Sequence, residues 1–268
     1  MLIAFGHKKQ VGKNLSAHMM QYIIENYKEG LDADSMFASY LLGYNYDFKK
    51  TEQKQFASKI KQIVALLINC DIKDLEDESF KNKILPKEWW KVKITTLDLK
   101  YGYEHVYFDY LTEQDKLEDY KKERAHDIVT EYVDEMTPRQ MMQLIGTDCF
   151  RDVIHPNIWV TSLFVDYNEN SNWFITDCRF PNEAKTIKDK GGIVIKIDRF
   201  KPCENCDAND EYYCNTCIKR DHRQMKVEHP SETALDGYTE WDYVINNNGT
   251  FKELFIKLFE ILKNERYI

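Results

Sequence analysis

Leu2-Ile-Ala-Phe-Gly-His-Lys-Lys-Gln-Val-Gly-Lys-Asn14 is the stretch that decides the fold of this chain. A short apolar run ends at Gly6, a polar loop carrying Lys8 and Lys9 follows, and Gly12-Lys13 closes it. Beyond the loop, Leu15, Met19, Tyr22 and Ile23 recur at the 3.6-residue period of one helix face. Strand, glycine-bounded basic loop and helix together form a recipe for holding a polyphosphate. Successive backbone N–H groups of such a loop make an anion-binding nest, and the helix adds its positive N-terminal end. Lys8, Lys9 and Lys13 bring three positive charges to a chain whose net charge is −8.

The loop departs from the P-loop formula, which asks for glycine, four residues, then Gly-Lys and a serine or threonine. Here five residues separate Gly6 from Gly12, so His7 takes the strict first position, and Asn14 stands where a magnesium-binding hydroxyl belongs. Asparagine offers a carbonyl oxygen but no hydroxyl, so metal contact there is weaker, water-mediated or supplied elsewhere. The plain structural alternative is a strand–turn–helix with exposed lysines.

A chain of 268 residues can bury a substantial core as one domain with insertions or as two small ones. With 43% hydrophobic and 31% charged residues it reads as globular rather than disordered. The acidic balance, without a long basic run, argues against general nucleic-acid binding. No apolar run approaches the ~20 residues of a membrane span, and the N-terminus enters a predicted strand with no signal-peptide pattern. Four of the seven cysteines cluster and three are scattered, which suits a reducing cytoplasm rather than a disulfide framework.

Further along, residues 31–51 give no clear element, and a helix is predicted from about Glu52 to Asn69, with Phe56, Ile60, Ile63, Val64 and Leu67 as its apolar stripe. Lys61 sits at the edge of that stripe, where a lysine ordinarily snorkels. Alternation from Trp89 to Tyr110, broken at Gly102, predicts a β-hairpin. The charged stretch 113–134 reads as an exposed helix. Thr137-Pro138 starts another helix, placing Arg139, Gln143 and Gly146 on successive turns, followed by Arg151, His155 and Trp159. Arg139 and Arg151 suit bidentate phosphate binding and equally suit a charged surface.

Trp173-Phe-Ile-Thr176 reads as a strand buried on both faces. It ends at Asp177, with Arg179, Asn182 and Glu183 beyond, and ligands of open α/β sheets bind outside the carboxyl ends of the strands. Asp177 there could hold a metal-bound water or move a proton; equally, it could cap the turn and pair with Arg179. A helix up to Lys190, Gly191-Gly192 and the strand Ile193–Ile197 complete a βαβ unit, hence a parallel sheet. Trp241–Ile245 is a further strand, Asn246–Gly249 a turn, and Thr250 starts a final amphipathic helix. Cys203, Cys206, Cys214 and Cys217 form two Cys-x-x-Cys turns seven residues apart, the donor set of a compact structural zinc knuckle. Two local disulfides, an iron centre, or His222 as a substitute ligand are the alternatives.

Several segments together resemble the deoxynucleoside monophosphate kinases of tailed bacteriophages, a branch of the P-loop kinase fold. They are Phe5–Lys13, Phe56–Lys61, Thr137–Thr147, Arg151 through His155–Trp159, Ile175–Glu183 and Ser231–Asp236. The resemblance implies a P-loop kinase-like α/β fold; joined to the elements read above, it gives a parallel sheet flanked by helices, a helical acceptor and lid region, and one domain over 1–268 interrupted by insertions at about 89–112 (the hairpin) and 200–226 (the zinc knuckle). It implies transfer of the ATP γ-phosphoryl group to a deoxynucleoside monophosphate, with Mg²⁺, for viral DNA precursor synthesis in the host cytoplasm. On that reading Gly6, His7, Lys8, Lys9, Gln10, Val11, Gly12, Lys13 and Asn14 hold ATP. Lys61, Arg139 and Arg151 meet the acceptor phosphate or the transferring group, Asp177 orients magnesium or the acceptor, and Arg179 faces the phosphates. Gln143, Trp159, Asn182 and Glu183 shape the acceptor base and sugar pocket. The partners are then two small-molecule substrates, with no membrane and no nucleic acid, and a homodimer stays open. Family loops usually carry aspartate after Gly-Lys, where this chain has Asn14, and the hairpin and cysteine segments lie outside the resemblance. Rival readings are a P-loop kinase of dephospho-coenzyme A or a ribonucleotide, and a non-catalytic regulator that binds nucleotide or nucleic acid.

Overall fold

Strand β1 (Leu2–Gly6) is buried at every position, as an apolar run in the middle of a two-faced sheet must be. The computed structural model to which it belongs describes residues 1–8, 10–43, 47–98, 103–109, 128–199 and 230–268. After β1 come α1 (Lys13–Asn26), α2 (Ala33–Leu42), β2 (Glu52–Lys54), α3 (Ser58–Ile68) and α4 (Glu78–Lys81). Strands β3 (Lys91–Asp98), β4 (Tyr103–Asp109) and β5 (Ile128–Asp134) precede α5 (Pro138–Gln143) and α6 (Ile158–Phe164). The chain continues with β6 (Trp173–Cys178), α7 (Pro181–Asp189), β7 (Ile193–Asp198), α8 (Pro230–Thr233), β8 (Tyr243–Asn246) and α9 (Phe251–Asn264). Two compact units result: Met1–Ser58 with His155–Ile268, and Lys59–Ile154.

The first unit is built on a sheet in the order β2-β6-β1-β7-β8, every neighbouring pair parallel. Ile3 lies opposite Phe174 on one side and Ile193 on the other. Alternate residues of β1 enter different cores. Ile3 and Phe5 pack with Met19, Met20 and Ile23 of α1 and with Phe255, Leu258 and Leu262 of α9. Leu2 and Ala4 pack with Ala184 and Ile187 of α7 and Val160 of α6. The helices that follow β1 and β6 therefore cover opposite faces. Adjacent strands whose connections leave to opposite faces open a crevice at their carboxyl ends, where α/β sheets bind ligands. Here those ends are Gly6 and Asp177-Cys178.

In the second unit α3 continues from Lys59, and Val64, Ala65, Leu75, Leu85, Met136, Met141 and Ile145 form its core. β3 lies between β4 and β5, antiparallel to both. Thr137 caps α5: its side chain accepts from Gln140 N at 3.2 Å, and the Gln140 side chain accepts from Thr137 N at 2.8 Å, a capping box with Pro138 in the first turn.

Three sequence expectations change. Residues 52–54 are an edge strand and the helix starts at Ser58, because three residues are too few to show a strand period before a strong helical stripe. Ala33–Leu42 is a helix capped by Asp32, whose side chain accepts from Ser35 N at 2.7 Å; only Met36 of it is buried, so it carries no clear stripe. Residues 128–134, expected as the end of an exposed helix, form β5; Ile128, Val129, Thr130, Tyr132 and Val133 are β-formers that the neighbouring charges outweighed in the reading. The rest of that expected helix, Lys9, Gly102 and Cys203, Cys206, Cys214 and Cys217 lie outside the described residues. Among the described residues no helix is long and apolar enough to cross a membrane.

Candidate active site

The loop after β1 turns through left-handed backbone at His7 (φ 84°), Gln10 (φ 60°) and Gly12 (φ 105°). Left-handed residues set among right-handed ones are the backbone feature from which anion nests are made. Lys13 is the first residue of α1 and is 8% exposed. Its Nζ reaches back to donate to the carbonyls of His7 at 2.7 Å and Lys8 at 2.6 Å. Burial, with Arg179 nearby, lowers its pKa from 10.5 to about 8, while Asp177 and Glu232 act in the opposite direction. Burial also lowers the pKa of His7, against the pull of Asp198, whose Oδ1 lies 2.6 Å from His7 Nδ1.

Asp177 does not pair with Arg179. Its Oδ1 accepts from Phe56 N and its Oδ2 from Ala57 N, both at 2.9 Å, so it secures the turn that leads into α3. Arg179 instead donates to Ser231 O at 3.2 Å and pairs with Glu232 Oε1 at 2.9 Å. Lys8 donates to Glu232 O at 3.0 Å and pairs with Asp236 Oδ1 at 2.7 Å. One short segment, Ser231–Asp236, thus holds both cations at the crevice. Glu183 is 1% exposed and its Oε2 accepts from the backbone N–H groups of Arg179 (2.7 Å) and Phe180 (3.2 Å). It shapes the turn that presents Arg179. Asn182 donates to Asn157 Oδ1 at 2.7 Å and Pro156 O at 3.3 Å, and Trp159 is buried.

The other expected site residues belong to the second unit. Lys61 pairs with Glu76 at 2.6 Å; Arg139 pairs with Glu78 at 2.5 Å and donates to Asn82 at 3.0 Å. Arg151 is buried and Gln143 partly exposed.

The magnesium that accompanies ATP in such chemistry meets no ready donor set in the loop. Asn14 is exposed, and Ser16 is buried with its hydroxyl donating to Gly12 O at 3.0 Å. Among the described residues no group of three His, Cys, Asp or Glu side chains could hold a metal. The helix end of the loop thus offers an ion one exposed side-chain oxygen, that of Asn14, so most of its ligands would be phosphate oxygens and water.

Asp198, Glu232, Asp236 and Asn247 also frame the crevice, and sequence reasoning gave them no role. Asp198 lies at the carboxyl end of a buried strand, as Asp177 does one residue before the end of β6, a signal that was available. Glu232 and Asp236 lie within Ser231–Asp236, one of the segments that carry the resemblance. Asn247, whose amide Nδ2 donates to Val11 O at 2.8 Å, had no signal: it is the middle of three asparagines in a turn.

A glycine-bounded basic loop with a buried lysine at its lip and an arginine at the next strand end has the chemistry to bind and polarise a phosphate chain. Comparison with known proteins agrees with that chemistry. A relative named "Putative deoxynucleotide monophosphate kinase", from Acanthamoeba polyphaga mimivirus, is 32% identical over 142 residues, 48% of this chain and 62% of the relative. A deoxynucleoside-5'-monophosphate kinase of Escherichia phage T5 is 24% identical over 150 residues, 55% of this chain and 52% of the relative. The chain thus spans less than two thirds of the length of either relative. The profile of the family described as deoxynucleotide monophosphate kinase matches residues 1–213, most of the 268, and the chain belongs to that family.

Proposed function

We propose that the protein transfers the γ-phosphoryl group of ATP to a deoxynucleoside monophosphate, giving a deoxynucleoside diphosphate and ADP. An oxygen of the acceptor phosphate forms a bond to the γ-phosphorus, and the bond from that phosphorus to the β–γ bridging oxygen breaks. Such transfer depends on positioning and charge neutralisation rather than covalent help. The observation that carries the reading is Lys13 buried at the lip of the Gly6–Gly12 loop, in the crevice where β1 and β6 end.

In this reading the loop N–H groups and Lys13 take the β- and γ-phosphates, and Arg179 exchanges its contact with Glu232 for a phosphate oxygen. Magnesium arrives with the nucleotide, as MgATP. The acceptor roles of Lys61, Arg139, Gln143, Arg151, Trp159 and Asn182 rest on side-chain chemistry; Glu183 shapes the turn that carries Arg179, and Asp177 both holds the turn before α3 and sets a negative charge near Lys13. Four thiolates at Cys203, Cys206, Cys214 and Cys217 leave no open coordination position, so their zinc would be structural.

The deciding assay is ADP formation from ATP with each monophosphate in turn, deoxy and ribo. Turnover with a deoxynucleoside monophosphate is expected; activity on none would leave the regulator. For the knuckle, metal analysis is expected to give one zinc per chain, lost on replacing Cys203 and Cys214 together, and a zinc-free wild-type protein would remove it.

A further inference from the structure

Loop carbonyls are the counterpart of a nest. When N–H groups turn to one side, the carbonyls turn to the other and need donors of their own. The carbonyls of His7 and Lys8 take the Lys13 ammonium. That of Val11, a residue only 4% exposed, takes the side-chain amide of Asn247, 236 positions away in the chain. Asn247 is 9% exposed, and its backbone N–H is fixed by Asp198 O at 2.7 Å, beyond the paired ends of β7 and β8.

The peptide unit between Val11 and Gly12 is planar, and a trans peptide points its C=O and N–H in opposite directions. Gripping the Val11 oxygen therefore fixes the direction of the Gly12 N–H, away from Asn247. The same amide fills the space beside Gly12, where an added Cβ would lie 2.6 Å from Asn247 Nδ2. Gly12 also needs its glycine for φ 105°. The junction of loop and helix is thus set from outside the loop.

We propose that Asn247 is a positioning residue for phosphate binding: its amide orients the Val11–Gly12 peptide so that the loop meets the nucleotide phosphates preorganised. The proposal rests on the phosphate-binding reading of the loop and adds a residue to it.

The test compares ADP and inorganic pyrophosphate binding by calorimetry, steady-state kinetics and melting temperature for wild type, Asn247→Asp and Asn247→Ala. Asn247→Asp keeps the shape, removes the donor and sets a carboxylate oxygen against the Val11 carbonyl. Both variants are expected to stay folded, with Kd for ADP raised about tenfold, the equivalent of one lost buried hydrogen bond. KM for ATP should rise in step while KM for the monophosphate stays unchanged, a split that general destabilisation would not give. Wild-type binding with equal affinity in both variants overturns the role of Asn247 and leaves the loop reading intact. Failure of wild type to bind ADP or pyrophosphate overturns the loop reading itself, and this proposal with it. If both variants fail to fold, Asn247 serves stability and the positioning role is overturned.

Discussion

Lys13→Ala is expected to cut ATP-dependent phosphorylation by about 10³-fold or more, the scale of losing one preorganised charge at a transferring phosphoryl group. The same substitution should leave the melting temperature nearly unchanged. Removing the side chain deletes two hydrogen bonds, to His7 O and Lys8 O, but also deletes the ammonium of a buried residue, a group costly to bury. These effects oppose each other, so activity and stability should separate. ADP formation and thermal unfolding of the same preparation check this. Wild-type turnover in the variant would end the phosphate-binding reading.

Lys13 also gives that reading a pH signature. Its folded pKa lies near 8, below the ordinary 10.5, so between those values the unfolded chain binds more protons than the folded one. Stability from this group therefore rises with pH across that window, as the penalty of a buried charge is relieved. Phosphate binding acts with the opposite sign, because a polyanion favours the charged ammonium. Nucleotide affinity should fall as pH passes about 8, with proton uptake on binding, which calorimetry in two buffers of different ionisation enthalpy would show.

The sheet was legible because its strands are continuous apolar runs: Leu2–Phe5, Trp173–Thr176 and Ile193–Ile197 announce burial on both faces, and Gly191-Gly192 marks the crossover. The loop stood out as a phosphate-binding candidate for a related reason, since basic residues between glycines follow such a run. What stayed hidden depends on pairing across the chain. Glu52–Lys54 becomes a strand only because β6 offers it an edge, and Asn247 matters only because β8 ends beside the loop. Glu183, which the resemblance offers as a residue of the acceptor pocket, has a carboxylate oxygen that accepts from two backbone N–H groups. Local sequence shows that a carboxylate is near the crevice, not which way it faces.

Asp177→Ala is expected to lower stability and turnover together. Each carboxylate oxygen accepts one backbone N–H, from Phe56 and Ala57. Charged hydrogen bonds of this kind contribute ~1.5–3 kcal/mol each. Allowing for partial replacement by water, the alanine variant should lose about 3 kcal/mol, or roughly 6–12 °C in melting temperature for a protein of this size. Asp177→Asn separates the two functions. Its oxygen keeps one of the bonds, while its NH₂ group faces the other N–H, donor against donor, so about half of the stability loss is expected. The negative charge that acts on Lys13 is lost entirely, and turnover should fall about tenfold or more at temperatures where the variant remains folded. An unchanged melting temperature in Asp177→Asn would sink the capping assignment. Unchanged turnover would show that Asp177 serves the reaction only by holding the turn before α3.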